Sequence, residues 1–144
     1  MARPPRIPVW LQWDQNVIYF VTLCVENRRP VLANPETLRA LENASRRLEH
    51  WRLLAAVIMP DHVHIIASPA ADRDEKVGNL SAALKRWIRH EVEATWKWQS
   101  GSFDRLMRSG ESLHSKWLYL YENPVRARLV TEPDDWPYRI GFDP

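Results

Sequence analysis

Two hydrophobic rhythms alternate along the chain. "NVIYFVTLCV" (16–25) is dense in β-branched and aromatic residues, which predicts a strand ended by "ENRRP". In "NPETLRALENASRRLEHW" (34–51), Leu38, Leu41, Ser45, Leu48 and Trp51 recur at helical spacing. Asn34 stands as N-cap, Pro35 at the first helical position and Glu36 at the positive end, so a helix is predicted over 34–51. "RLLAAVIM" (52–59) and "HVHIIAS" (62–68) read as strands joined at Pro60-Asp61, and so short a connection predicts an antiparallel hairpin. After the polar loop 69–76, Leu80, Leu84, Trp87 and Glu91 mark one line of a second helix over 79–96. "SFDRLMR" (102–108) predicts a fourth strand. "ESLHSKWLYLYEN" (111–123) predicts a third helix that stops at Pro124, with Asn123 capping a short helix 124–129. Residues 1–15 and 131–144 read as irregular.

The order β-α-β-β-α-β-α predicts an α+β fold: a ferredoxin-like antiparallel sheet with helices packed on one face, followed by a C-terminal helix. At 144 residues, with no repeat, linker or low-complexity block, the chain is expected to form a single domain over 1–144. No apolar run nears the ~20 residues of a membrane span, and "MARPPRIPVW" lacks the apolar core of a signal peptide, so a cytoplasmic location is expected. The single Cys24 sits in an apolar strand pattern and reads as a buried thiol. A net charge of +2 and a pI near 8.9 permit a nucleic-acid partner without requiring one. Eight tryptophans serve cores and base stacking equally well.

The unusual feature is "MPDHVHIIA" (59–67). Strand alternation turns His62 and His64 to one face, about 7 Å apart at Cα, with Val63 and Ile65 on the other. Two neutral imidazoles side by side can hold one divalent cation; they can equally be satisfied histidines at a strand end. An RNA-binding sheet of this fold would carry exposed stacking aromatics where this sequence carries histidines.

"MPDHVHIIA" together with "YLYENPVRARLV" (119–130) resembles the REP-associated tyrosine transposases, one-tyrosine members of the HUH single-strand DNA endonucleases and transposases, where U is an apolar residue. "FVTLCVENRRPVL" (20–32) and "WQSGSFDRLMRSGE" (98–111) are also similar to family segments, so the resemblance spans roughly 16–136. It implies Tyr119 as nucleophile on a C-terminal helix, and His62, His64 and Asn123 as metal ligands. It also implies Mg²⁺ or Mn²⁺ as cofactor, although imidazoles also accept Zn²⁺ or Ni²⁺. The implied activity is cleavage and strand transfer of single-stranded DNA at hairpin-forming repeats, through a 5′-phosphotyrosine. The alternative is a hairpin-binding protein without productive cleavage. The partner is single-stranded or hairpin DNA, with no membrane, no small-molecule substrate and a nucleoid-associated place in the cytoplasm. A monomer is expected, with a dimer still open.

Spacing agrees with these roles. Tyr119 and Asn123, four apart, share one helix face, whereas Tyr121 lies about 200° around and reads as a packed aromatic. Two positions depart from the family pattern. Asp61 stands where Asn is frequent and reads as a turn residue, with a role as acceptor for a histidine N–H left open. Arg128 stands where Gly is frequent. Candidate phosphate contacts are Arg28, Arg29, Arg46, Arg47, Lys85, Arg86, Arg89, Arg105, Arg108, Arg126 and Arg128, with the Lys85/Arg86/Arg89 group and Arg126 foremost and Arg28 and Arg29 beside them; ordinary solvated surface charge is the competing reading for each.

Overall fold

The computed structural model describes residues 17–71, 74–107 and 110–142, with side chains from 113 onward in the last stretch. Its elements are β1 (Ile18–Cys24), α1 (Pro35–Arg47), β2 (Trp51–Ile58), β3 (His62–Pro69), α2 (Val77–Glu91), β4 (Phe103–Met107), α3 (Gly110–Arg126) and β5 (Arg139–Ile140). The strands form one antiparallel sheet in the order β4-β1-β3-β2-β5. The expected hairpin is β2–β3, and its register places Val57 opposite His64 and Ile58 opposite Val63. The lead-in 1–15 and Arg108 lie outside the described residues.

Both faces of the sheet are covered. Alternation sends Val21, Leu23, Val63 and Ile65 to one face, where they meet Leu41 of α1 and Leu84 and Ile88 of α2. It sends Ile18, Val57 and Ile66 to the other, against Trp117 and Leu120 of α3 and Phe142 of the tail. Helices on one face therefore holds for α1 and α2, whereas α3 crosses to the opposite side. That side is the histidine face, so docking α3 through Trp117 and Leu120 is what brings the C-terminal helix to the histidines. Burying each such side chain stabilises by roughly 1.5–3 kcal/mol.

Several predicted boundaries shift, each for a local reason. The Asn34 cap forms, with its Oδ1 accepting from Thr37 N at 2.8 Å. The helix ends at Arg47 rather than 51, because Trp51 is drawn into the core as the first residue of β2. The second helix runs Val77–Glu91 rather than 79–96. Glu93 adopts φ 51° there, and the Ala94 N–H reaches back to Arg89 O while the Glu93 N–H reaches His90 O. The third helix does not break at Pro124. Proline forfeits only the bond to Leu120 O, and the ladder resumes with Ala127 N donating to Asn123 O at 3.0 Å. The short separate helix is thus the last turn of α3. The tail is not wholly irregular: it adds β5 to β2 and is pinned by Trp136 Nε1 donating to Ile58 O at 3.0 Å. Gly141 carries φ 89°, and a Cβ there would meet Leu54 O at 2.4 Å, so the close approach of the tail to β2 requires glycine. Among the described residues no helix is long and apolar enough to cross a membrane.

Candidate active site

His62 and His64 rise from the start of β3 onto the face that α3 covers. Their Nε2 atoms stand 3.2 Å apart, with ring centroids at 4.6 Å. Each ring is held from behind. His62 Nδ1 donates to Asp61 Oδ1 at 2.6 Å, and Asp61 Oδ2 accepts from Arg28 Nε at 2.8 Å. Thr22 Oγ1, opposite His64 on β1, lies 2.9 Å from His64 Nδ1. Donation from Nδ1 leaves the Nε2 of a neutral imidazole as a lone pair. With Thr22 accepting as Asp61 does, both Nε2 atoms carry free lone pairs 3.2 Å apart. Two nitrogens bound at ~2.1 Å to one ion, at angles near 90–110°, would sit ~3.0–3.4 Å apart, and the observed 3.2 Å falls within that range.

The electrostatics match. Burial, then the charges of His62, Arg126, Lys116 and Arg28, push the His64 imidazole down to about 3, so its ring is neutral and available as a ligand at neutral pH. Burial alone would raise the Asp61 carboxyl, but the bonds from His62 and Arg28 outweigh it and hold it below the ordinary carboxylate value. The charged Asp61 therefore fixes which nitrogen of His62 carries the proton. Asp61 occupies its turn as expected, and it is also the histidine acceptor that was left open.

Tyr119, on α3, lies edge-on to His64. Its ring centroid is 5.9 Å from that of His64 and 6.4 Å from that of Phe20, and the residue is 41% exposed. Two cations flank it: Arg126 Cζ lies 4.1 Å from the ring centroid and Lys116 Nζ 5.3 Å. Arg126 also donates to Tyr119 O across the last turns of α3. Asn123, one turn beyond Tyr119, is buried, and its Nδ2 has no hydrogen-bond partner among the described residues. It sits within the helix rather than capping one. No three His, Cys, Asp or Glu side chains converge among the described residues. A cation here would draw on two imidazoles, with substrate oxygens among the remaining donors.

Tyr121 faces away. It is buried against Phe142, its hydroxyl donates to Asp134 at 2.8 Å, and burial followed by that bond pushes it up to about 12.

The expected phosphate contacts divide. Arg126 stands at the site. Arg28 is committed to Asp61 and also donates to Cys24 Sγ at 3.2 Å. Lys85 donates to the carbonyls of Gln99 and Gly101, and Arg89 to Trp96 O at 2.9 Å, so both brace the segment before β4 from α2, which packs on the far side of the sheet. Arg86 lies over Trp87 on that same side, and Arg29 is exposed. Sequence reasoning missed Thr22, Phe20 and Lys116. Thr22 follows from strand register, which a single sequence does not display.

Residues 14–108 match the family described as "Transposase IS200 like", a span that includes the histidine pair and stops short of α3. A REP-associated tyrosine transposase of Escherichia coli strain K12 is 25% identical, over 83% of this chain and 73% of its own length. A Haemophilus influenzae protein given a similar description is 23% identical over 84% and 77%. The solved structure of a REP-associated tyrosine transposase bound to a REP hairpin superposes with a TM-score of 0.72 at 24% identity, covering 100% of this chain and 89% of that one, so the fold is shared.

Proposed function

The chain belongs to the IS200-like transposase family, enzymes that act on DNA, and from that premise we propose that it cleaves and rejoins single-stranded DNA beside hairpin-forming repeats, with Tyr119 as nucleophile. The observation that carries this reading is the tyrosine ring set 5.9 Å from His64, itself paired Nε2 to Nε2 with His62, between the cations Lys116 and Arg126.

The Tyr119 oxygen attacks the scissile phosphorus, the P–O3′ bond breaks, and the phosphate stays on the 5′ side as a phosphotyrosine. The tyrosine loses one proton and the departing 3′-oxygen gains one, so no net proton is consumed. Arg126 and Lys116 offset the negative charge of the phosphodiester and of the pentacoordinate transition state. His62, His64 and the Asn123 amide would hold a divalent cation, Mg²⁺ or Mn²⁺, which when bound polarises the phosphate oxygens. A second 3′-hydroxyl reversing the step joins new DNA. The nucleophile and the histidines come from one chain, which supports action as a monomer.

The test is a labelled hairpin oligonucleotide with a single-stranded flank, incubated with Mg²⁺ or Mn²⁺ and run on a denaturing gel. A covalent adduct is expected, lost in Tyr119→Phe and retained in Tyr121→Phe. Hairpin binding with no adduct in the wild type would instead make this a binding protein, and an adduct surviving Tyr119→Phe would remove the nucleophile assignment.

A further inference from the structure

The α3 helix covers only part of the histidine face. It packs over Ile18, Val57 and Ile66 and leaves open the corner where β1 meets the outer strand β4. There, register places Phe103 beside Thr22 and Arg105 beside Phe20, so both β4 side chains stand on the face that carries the histidines. Phe103 is 64% exposed, the most open of the exposed large hydrophobic side chains among the described residues. At its foot is a cleft of about 120 Å³ lined by Thr22, Cys24 and the segment 99–103. Thr22 belongs to both places: it lines the cleft and holds His64 Nδ1 at 2.9 Å.

The cleft wall is fixed rather than loose. Gln99 N donates to Cys24 O at 2.8 Å, Lys85 grips the carbonyls of Gln99 and Gly101, and Ser102 Oγ lies 3.2 Å from Ser81 Oγ. An exposed ring above a braced polar wall, one residue from a metal-type histidine pair, has the chemistry of a base platform. The ring offers a π-face, and Gln99 and Ser100 offer donors and acceptors to a base edge. Arg105, two residues along the same strand face and so about 7 Å from Phe103, matches the step to a neighbouring phosphate.

We propose that this corner is a single-nucleotide subsite. Phe103 stacks on one unpaired base next to the scissile phosphate, the 99–102 segment meets that base's edge, and Arg105 holds the adjoining phosphate. The subsite rests on the reading of the histidine face as the cleavage site, and it adds a selectivity element on the strand side opposite Tyr119.

The experiment measures affinity by fluorescence anisotropy in a Tyr119→Phe background, so that cleavage does not intervene. The probes are a fluorescein-labelled hairpin oligonucleotide with a single-stranded flank, and the same oligonucleotide with one abasic nucleotide at each flank position in turn. One abasic position is expected to weaken binding about tenfold. Phe103→Ala is expected to weaken binding of the intact flank by a similar factor and to erase the penalty at that one position, while Phe103→Trp preserves both. Unchanged circular dichroism in Phe103→Ala establishes that the fold is retained. Equal affinity in Phe103→Ala, or an abasic penalty that persists in it, overturns the subsite and leaves Phe103 to another partner such as an added protein strand. The adduct assay with wild-type Tyr119 separates the two readings. Phe103-dependent binding without adduct removes the cleavage assignment alone, and adduct with Phe103-independent binding removes the subsite alone.

Discussion

Asp61 decides which ring nitrogen His62 presents to His64. By accepting the Nδ1 proton at 2.6 Å it turns Nε2 toward His64, and Arg28, donating at 2.8 Å, holds the carboxylate in place. Outer partners of this kind typically change metal affinity 10–100-fold when removed. Asp61→Asn keeps an oxygen for the His62 proton but loses the charge and the Arg28 pair. Its affinity for Mn²⁺, titrated calorimetrically, is expected to fall about tenfold, with the fold and melting profile retained. Unchanged affinity would reduce Asp61 to a turn residue. The same-face pairing of His62 and His64 was legible because period-2 alternation is a local property of a sequence, whereas Tyr119 was singled out by the family resemblance and helical spacing alone would have left it a packed aromatic. Asp61 was not legible, because strand alternation points it away from the histidines and a turn residue does not obey that alternation. Thr22 was hidden for a different reason: its link to His64 exists only once β1 and β3 are in register.

At the scale of elements, helix starts were easier to read than helix stops. The Asn34-Pro35-Glu36 start carries its own chemistry and forms as expected. The stops of α2 and α3 share one device that the sequence disguises. After α3, the Arg128 N–H reaches Val125 O and the Leu129 N–H reaches Pro124 O, with Arg128 at φ 61°. After α2, Glu93 holds the equivalent place at φ 51°. Both are left-handed closures of the kind usually marked by glycine, and neither position is glycine here. The periodicity was therefore followed past Glu91 and broken too early at Pro124. A non-glycine residue in this conformation costs about 1–2 kcal/mol. Arg128→Gly is expected to relieve about 1 kcal/mol of that, part of the gain being offset by the freer unfolded chain, and to shift the urea midpoint upward. A lower midpoint would mean that the Arg128 side chain contributes more than its backbone costs.

The whole molecule is a sheet sandwiched between two unlike layers, and the sequence shows the order of elements without saying which face each helix takes. α1 and α2 follow from the ferredoxin-like order. The side taken by α3 follows from Trp117 and Leu120 finding Ile18, Val57 and Ile66, contacts that join distant parts of the chain. One consequence is a buried neutral imidazole between the layers. His64 is 8% exposed, enclosed by Phe20, His62 and Tyr119, with Lys116, Arg126 and Arg28 adding positive charge around it. Its folded value lies near 3, against 6.5 for a free imidazole. Above pH 6.5 the ring is neutral in both the folded and unfolded chain, and its contribution to stability does not vary. Below that value the unfolded chain takes up a proton that the folded chain refuses, so stability falls with pH until the folded ring also titrates near 3. The expected loss in the metal-free protein is about 2 kcal/mol by pH 5. Urea unfolding at pH 7 and pH 5 measures it, with His64→Gln as the reference that carries the remaining titrating groups unchanged. The wild type is expected to lose more stability over this interval than the variant, by about the stated amount. Equal losses would mean that His64 already accepts its proton within the folded sandwich, and that the space between α3 and the sheet admits water.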